Sequence, residues 1–539
     1  MGIATTAWEL KPALELPPGY FFENCEANGY MLRVLEFRDC VAAGYVSPQW
    51  CTDFRQGFGS PYFGYYQPGF FYAASLFPTS LSLVHRVLLS FWMLSLVGYS
   101  FTFLLVARRV CAISGAVAAT ALALSHYLTM DLYFRGDFSE ASAMMLVPVV
   151  LYWLDGSLVE RRFRDFLGLA LSSGLLVTMH PCVSLATFGY LALALLAFAL
   201  RKDCRRAALT GLLALACGAG LAAFYWFPVF GEWRLVSPER AFAGNFKFAF
   251  HFREPFDLIF DRSGRHESVE LGPALLVLLA AGLASGFARW RSLTLGHKRL
   301  VLLTLGMCAY SVFLMSSSSA GLWENIPLLS RLQFPWRLMT LTTVGAAILA
   351  GCQGPFKRRS SGALVLVWAI ANLWIGNLAD DQRKLRKLPF DEPQSAAEIA
   401  MQHFAPDIAD EWLPRLARID RHAIVDRRVA GGPGCEASDY YQQQGVLRCR
   451  VRADADSYVD LPHIFFPVGW TADVDGKEVP VEPNAEGLMR VRLPAGTRGR
   501  LKLEFAMTPM RRLGLLISGA SVVVMAPVLF WASRQARRS

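Results

Sequence analysis

The sequence predicts a polytopic α-helical membrane protein with a C-terminal β-sandwich-like domain and a last transmembrane helix after that domain. Of the 539 residues, 54% are hydrophobic and only 18% are charged, whereas soluble proteins carry about 25% charged residues. Apolar stretches close to the length that crosses a bilayer recur along the chain. Between residues 446 and 505 apolar and polar residues alternate, which is typical of strands.

Eleven apolar stretches are predicted to be transmembrane helices. They are residues 84–107, 112–128, 141–155, 165–180, 184–200, 206–229, 271–289, 299–316, 335–352, 360–377 and 513–533. Several are short, and the pair around His180-Pro181 can also be one broken element, so the predicted count is ten to twelve. Residues 84–377 then form a core of about ten helices, and residues 513–533 form the C-terminal helix.

Basic residues are concentrated in every second connecting loop. They are Arg108-Arg109; Arg161, Arg162 and Arg164; Arg201-Lys202 and Arg205-Arg206; Arg289, Arg291, Lys298 and Arg299; Lys357, Arg358 and Arg359; and Arg534, Arg537 and Arg538. Because Lys and Arg accumulate in cytoplasmic loops, the long segments are expected on the extracytoplasmic side. These segments are 1–83, 129–140, 230–270, 317–334 and 378–512, the last of which contains the exceptional Arg511-Arg512. The net charge of +10 therefore needs no nucleic-acid partner.

Residues 1–83 contain neither an apolar span nor a signal peptide, although the topology places them outside. We expect that a first helix preceding Met1 is absent from this chain. The alternative is a tail of this length that is translocated unaided.

Residues 378–512 are predicted to be a soluble domain that starts with a helical part and continues as strands. The predicted strands are 446–453, 458–466, 470–474, 478–482, 487–493 and 500–505. Asp475-Gly476 is a hairpin signal, and Ala495-Gly496 resembles another turn. Cys435 and Cys449 could pair in an oxidising compartment, or they are two unrelated thiols, because sequence spacing does not give disulfide geometry.

Four stretches carry a family resemblance. They are "QWCTDFRQGFGSPYFGYYQPGFFY" (49–72), "YFRGDFSEASAMMLVPVVLY" (133–152), "MHPCVSLA" (179–186), and "LQFPWR" (332–337) preceded by "LWENIPLLS" (322–330). Together with "EWLPRL" (411–416) and the segment 465–496, they resemble the bacterial membrane proteins described as 6-pyruvoyl-tetrahydropterin synthase-related. YfhO-like proteins and other GT-C-type glycosyltransferases are neighbours of that family. The resemblance covers nearly all of residues 25–533.

The resemblance implies a GT-C-like fold and a membrane glycosyltransferase. Such an enzyme moves a sugar from a polyprenyl-phosphate donor to a glycan or lipid acceptor at the extracytoplasmic face of the bacterial cytoplasmic (inner) membrane. The alternative is a non-catalytic membrane protein that binds lipid or glycan in cell-envelope assembly. The sequence contains no Walker loop, HExxH, CxxC or zinc-ligand spacing, and its nine His are scattered, so neither a metal nor another cofactor is expected.

Residues 25–72 supply the candidate catalytic carboxylates. Relatives carry an Asp and a His early in this loop, where this chain has Glu26 or Asn28 and then Tyr30. Glu26 or Asp53 is our candidate base, although Glu26 also fits the solvated face of an amphipathic helix with Arg33, Glu36 and Asp39. The aromatic side chains could stack on a sugar or form an interfacial belt. They are Trp50, Tyr62, Tyr65 and Tyr66, of which Tyr65 is our substrate-binding candidate.

Two further motifs supply candidate substrate contacts. In "RGDFSE" (135–140), Arg135 suits phosphate oxygens, while Asp137 and Glu140 could bind an acceptor or form a helix capping box. His180 could deliver a proton or bind the carrier phosphate. Alternatively, it could hydrogen-bond a backbone carbonyl freed by Pro181.

In "LQFPWRLM" (332–339), Pro335 fits the first helical turn. A cation such as Arg337 is unfavourable at a helix N-terminus. We therefore expect Arg337 to bind a lipid-linked phosphate in a pocket that Gln333, Arg331 and Glu324 could complete. Snorkelling to headgroups is the alternative.

Overall fold

The computed structural model describes residues 20–22, 26–259, 269–352, 387–389, 411–418 and 428–536. The predicted span 360–377 and most of the predicted helical part of the C-terminal domain lie outside these residues. Within them the chain forms a helical core, a β-rich domain and a last helix, as the sequence predicts. A separate short pair, β1 (Tyr20–Phe22) and β2 (Lys387–Pro389), is antiparallel.

The α-helices have the following bounds. They are α1 (Ala27–Ala42), α2 (Gly69–Ser75), α3 (Leu83–Arg109), α4 (Ala112–Ala123), α5 (His126–Thr129), α6 (Phe138–Val159), α7 (Phe163–Met179), α8 (Pro181–Ala199), α9 (Arg205–Leu221), α10 (Ala223–Glu232), α11 (Pro273–Ala288), α12 (Leu295–Met315), α13 (Ala320–Asn325), α14 (Pro327–Ser330), α15 (Met339–Gly351) and α16 (Pro509–Ala536). Helices α3, α6, α7 and α9 pack in series, and α15 packs against α4, α11 and α12.

Among the described residues, four helices are long and apolar enough to cross a membrane: α3, α6, α8 and α12. Two bent pairs add up to two more spans. One is α4 with His126–Arg135, bent by 42°, and the other is α9 with Ala223–Leu235, bent by 70°. The predicted spans 165–180, 271–289 and 335–352 correspond to helices α7, α11 and α15, of 17, 16 and 13 residues.

The β-rich domain consists of two antiparallel sheets whose apolar faces share one core. Its strands are β3 (Ala430–Gly431), β4 (Cys435–Gln443), β5 (Val446–Ala453), β6 (Ser457–Ile464), β7 (Trp470–Val474), β8 (Lys477–Val479), β9 (Val481–Pro483), β10 (Leu488–Leu493) and β11 (Arg498–Phe505). One sheet has the order β3-β6-β10-β9 and the other β4-β5-β11-β7-β8. This is the predicted β-sandwich-like arrangement.

Within the β-rich domain the strand predictions are correct except in three places. The single predicted strand 478–482 is two strands in different sheets, because Pro480 cannot continue a ladder. Strands β3 and β4 were not predicted, since β3 has only two residues and the polar residues of β4 hide the alternation. The Asp475-Gly476 hairpin is confirmed, with φ values of 49° and 86° that suit a type I′ turn.

The proposed disulfide is not formed, because Cys435 and Cys449 are both free thiols. Cys435 lies opposite Ala453, four positions along β5 from Cys449. That separation along a strand is about 13 Å, which exceeds the distance that a disulfide can bridge.

Helix α1 is not the solvated surface helix that its charge pattern allowed. Arg33 and Glu36 are only 3% and 0% exposed, because α1 is enclosed by α2, α3 and the β-rich domain. The Glu36 carboxylate accepts a hydrogen bond of 3.1 Å from Gln444 of that domain. Trp50 likewise packs on Trp470 and Phe505, so it belongs to neither a sugar platform nor a membrane belt.

Candidate functional site

A cavity of about 1180 Å³ lies among the helices and loops of the core, with Glu411-Trp412 on one side. Its wall combines the start of α1, the turn before α6, the start of α8, helix α10, the loops 233–253 and 328–337, and Glu411-Trp412. One part of the wall is apolar and is formed by helices α7 to α10. Its residues include Val177, Leu185, Phe188, Ala219, Trp226 and Val229.

Carboxylates and arginines pair beneath one side of the cavity, in a group that we call the paired cluster: Asp131, Arg135, Asp137, Glu140 and Arg337. Arg135 contacts Asp131, and its Nη1 and Nη2 lie 3.0 Å and 3.3 Å from Glu140 Oε2 and Asp137 Oδ2. Arg337 Nε donates to the same Glu140 oxygen at 3.1 Å. Both guanidinium groups are thus neutralised by protein carboxylates, which suits their burial.

The local backbone explains how Asp131, Arg135 and Asp137 meet. Residues Met130–Arg135 form a π-helical turn that ends at Gly136, whose φ of 70° favours glycine. Asp137 then caps α6 by accepting from the Glu140 backbone N–H at 3.0 Å. Only this half of the predicted capping box exists, because the Glu140 side chain turns to Arg135, Arg337 and Tyr127.

Asp137 is held as a carboxylate. Burial alone would raise its pKa, but Arg135 outweighs burial and lowers the pKa of Asp137 well below its usual range. Asp137 also accepts a hydrogen bond of 2.7 Å from the Tyr30 hydroxyl. Tyr30, which stands near the His position of relatives, therefore orients Asp137 rather than lining the cavity.

Glu26 lies at the N-terminus of α1 and faces the cavity. Its Oε2 is 3.2 Å from Arg33 Nη1, and Arg33 also packs over the rings of Tyr30, Tyr62 and Tyr66. Burial, and then the nearby Asp137, raise the pKa of Glu26, although Arg33 opposes the shift. A raised pKa makes Glu26 a stronger base than an ordinary glutamate.

His180 is buried at the junction of α7 and α8. Its Nδ1 accepts from the Val183 backbone N–H at 3.3 Å, so it caps α8. The Nε2 of the neutral ring then carries the proton and points toward Asp137 and Glu140, each at 3.9 Å. The predicted bond to a freed carbonyl is wrong, because the ring satisfies a backbone donor instead.

The lining of the cavity also includes arginines and aromatic residues, which we call the arginine–aromatic wall: Trp233, Arg234, Phe242, Arg253, Arg331 and Trp412. Tyr65 stacks on Trp412 with ring centroids 5.5 Å apart. The Arg331 guanidinium lies 5.0 Å from the ring centroids of both Trp233 and Phe242. Planar aromatic faces next to cations suit a sugar-sized polar ligand.

Seven of the nine predicted site residues line this cavity. They are Glu26, Tyr65, Arg135, Asp137, His180, Gln333 and Arg337. Glu140 lies under the cavity wall as the carboxylate that holds both arginines. Gln333 accepts from Arg337 Nη1 at 3.0 Å and donates to Ala241, so it positions Arg337.

Asp53 is separated from the other candidates and does not line the cavity. Its carboxylate lies 3.3 Å from Gln444 Nε2, beside Glu36, at the contact between α1 and the β-rich domain. This placement removes Asp53 as a candidate base for a ligand in the cavity.

Sequence reasoning missed Arg33, Asp131 and Arg253. Arg33 was assigned to a solvated helix face. Asp131 precedes Arg135 by four residues within an apolar stretch, and that spacing is a usable ion-pair signal. Arg253 has no such signal, because its place in the cavity depends on contacts with α12.

Asp137, Glu140 and His180 offer ligand atoms that all lie within 4.8 Å of one another, as a metal ion would require. Arg135 and Arg337 already donate to the carboxylate oxygens. The His180 tautomer also directs a proton toward them. A divalent cation would have to displace both guanidinium groups, so the donor set does not fit a metal.

Residues 63–380 match the protein family described as "6-pyruvoyl-tetrahydropterin synthase related domain; membrane protein". No curated protein sequence is significantly similar to the chain. Among solved structures, the arabinofuranosyltransferase AftD from Mycobacteria aligns with a TM-score of 0.44 and 17% sequence identity, covering 71% of this chain. The chain spans about a quarter of that protein, since 27% of AftD is covered.

Proposed function

The chain belongs to the 6-pyruvoyl-tetrahydropterin synthase related family of membrane proteins, and we propose that it is a GT-C-type membrane glycosyltransferase. In this proposal it moves a sugar from a polyprenyl-phosphate donor to a glycan or lipid acceptor at the extracytoplasmic face of a bacterial cytoplasmic membrane. One observation carries the proposal: a single cavity brings together a carboxylate, a buried arginine and an apolar wall of helices.

The donor would lie against the apolar wall with its phosphate at Arg337. Arg337 Nε and Nη1 are bonded to Glu140, Gln333 and Leu332. Within the described residues the Nη2 atom of Arg337 makes no hydrogen bond, so it is the atom that can donate to a phosphate oxygen. Arg135 is a weaker candidate, because both of its terminal nitrogens are bonded to carboxylates.

Glu26 would act as the base. Its carboxylate takes the proton of an acceptor hydroxyl, and the oxygen then forms a bond to the anomeric carbon of the sugar. The bond between that carbon and the phosphate oxygen breaks, and the phosphate leaves with the electron pair. Arg337 stabilises the charge on the departing phosphate.

The test is transfer from radiolabelled polyprenyl-phosphate sugars by the purified full chain. Arg337→Ala is expected to lower transfer by about 100- to 1000-fold, while Arg240→Ala serves as a matched control. Arg240 is exposed on the neighbouring loop and does not line the cavity. Wild-type transfer should rise with pH through a pKa above that of an ordinary glutamate, and Glu26→Gln should remove that rise.

A different result would favour a binding protein. If wild type and Arg337→Ala retain the labelled lipid equally and neither releases sugar, the transferase proposal is wrong. The chain would then be a non-catalytic lipid- or glycan-binding protein with Arg337 as a structural partner of Glu140.

A further inference from the structure

Arg253 is a buried arginine that the proposed transfer does not use. It is 8% exposed, it lines the cavity, and its buried Nε has no hydrogen-bond partner in the part of the chain that the structure describes. No carboxylate of the described residues lies within 4.0 Å of its guanidinium group. By contrast, Arg33, Arg135 and Arg337 each contact a carboxylate. An unpaired buried cation is costly, so its retention indicates a ligand.

The structure keeps the nearest carboxylate in sequence away from Arg253. Glu254 accepts from the Ser316 hydroxyl and from the Ser317 backbone N–H, each at 3.2 Å. The Arg253 backbone N–H donates to Met315 O at 2.8 Å, at the end of α12. These bonds fix the loop and turn Glu254 aside, so Glu254 does not neutralise the guanidinium group of Arg253.

The cavity that Arg253 lines is suited to a saccharide. Arg331, also without a carboxylate partner among the described residues, lies over Trp233 and Phe242. The stacked pair of Tyr65 and Trp412 adds another aromatic face, beside which Glu411 lines the cavity. Aromatic faces bind the apolar faces of sugar rings, and a planar guanidinium group binds carboxylate or phosphate oxygens in pairs.

We propose that the arginine–aromatic wall binds an oxyanion of the acceptor, so that the acceptor is an acidic saccharide carrying a carboxylate or a phosphate group. The assignment of this anion site to the acceptor rests on the proposed function. The donor phosphate is assigned to Arg337 beside the apolar wall, and Arg253 supplies a second, separate anion site. One cavity would thereby distinguish an acidic acceptor from a neutral one.

The experiment is equilibrium binding to the purified full chain in detergent, measured by calorimetry without any transfer. The saccharide probes are trigalacturonate, glucose 6-phosphate and neutral maltotriose, and polyprenyl phosphate is the lipid probe. Wild type, Arg253→Gln and the control Arg240→Gln are compared. Because binding alone is measured, the result stands whether or not the protein transfers sugar.

We expect at least one acidic probe to bind about tenfold or more tightly than maltotriose, as an ionic hydrogen-bond pair would allow. Arg253→Gln should abolish that preference and leave polyprenyl phosphate binding unchanged, while Arg240→Gln changes neither. If Arg253→Gln does not fold, Arg331→Gln makes the same test. Three results overturn the proposal: no preference for an acidic probe, an unchanged preference in the variants, or weakened binding of polyprenyl phosphate only.

Discussion

The paired cluster and the arginine–aromatic wall belong to the same cavity but differ in how their arginines, of which Arg253 is buried and Arg331 exposed, are paired. In the paired cluster, each arginine contacts at least one carboxylate, and Glu140 binds two arginines through one oxygen. In the wall, Arg253 and Arg331 have no carboxylate partner among the described residues. Paired charges hold their geometry whether or not a ligand is bound, whereas an unpaired cation leaves an interaction for a ligand to complete.

The contact between Glu36 and the β-rich domain shows a third arrangement, a buried carboxylate beside polar groups. Glu36 is fully buried, and within the described ranges of the chain its hydrogen bonds come from the Asp53 backbone and from Gln444, with no ion pair to a cation. A buried carboxylate can become neutral by binding a proton, whereas a buried arginine stays charged. Burial, and then Asp53, raise the pKa of Glu36 well above its usual range.

The largest expected effect on stability comes from a substitution that disrupts the paired cluster. Glu140→Gln keeps the side-chain volume but leaves Arg135 and Arg337 without their shared carboxylate. We expect a loss of about 3–5 kcal/mol in the free energy of unfolding, because the charges stay buried. Glu160→Gln, at the residue that caps the C-terminus of the same helix, is the control, since Glu160 is partly exposed beside Arg108 and Arg109.

Equilibrium denaturation in detergent measures both variants. The control should lose no more than about 1 kcal/mol. Equal losses in the two variants would mean that the paired cluster does not stabilise the fold more than a partly exposed ion pair.

The next effect is smaller and depends on pH. Because the folded protein holds the Glu36 proton more tightly than the unfolded chain does, Glu36 contributes stability that is present below the ordinary glutamate pKa. That stability is lost as the pH rises through the raised pKa of the folded state. Glu36→Gln mimics the protonated form, so its stability advantage over wild type should grow as the pH rises through this window.

Denaturation of both proteins at a series of pH values measures that difference. The titratable groups around Glu36 are Asp39, Cys40, Cys51 and Asp53, and they are unchanged in the variant. A difference that shrinks with rising pH would show that Glu36 is held as a carboxylate.

The smallest expected effect tests the wall. Arg253→Gln removes an uncompensated buried charge, so we expect no loss of stability and a gain of up to about 1 kcal/mol. Arg33→Gln is the matched comparison, because Arg33 is similarly buried but paired with Glu26, and it should destabilise. A loss for Arg253→Gln as large as that for Arg33→Gln would mean that Arg253 serves the fold rather than a ligand.

Much of the architecture could be predicted from local sequence patterns. Apolar stretches identified α3, α6, α8 and α12, and alternation identified most strands of the β-rich domain. The helix start at Asp137 and the turn at Asp475-Gly476 follow from neighbouring residues alone. Helix α1 was misjudged, because its charge pattern is the same whether the charges meet water or partners from other segments.

The sequence by itself determined that this is a membrane protein with a β-rich domain, and that arginines and carboxylates stand at the ends of its helices. Only the tertiary structure decided which of them are paired. Arg337 meets Glu140 across 197 positions of sequence, whereas Arg253 does not pair with the adjacent Glu254, which bonds to Ser316 and Ser317 instead. The physical reason is that ion pairing depends on distances of a few ångströms between segments, and local periodicity carries no information about those distances.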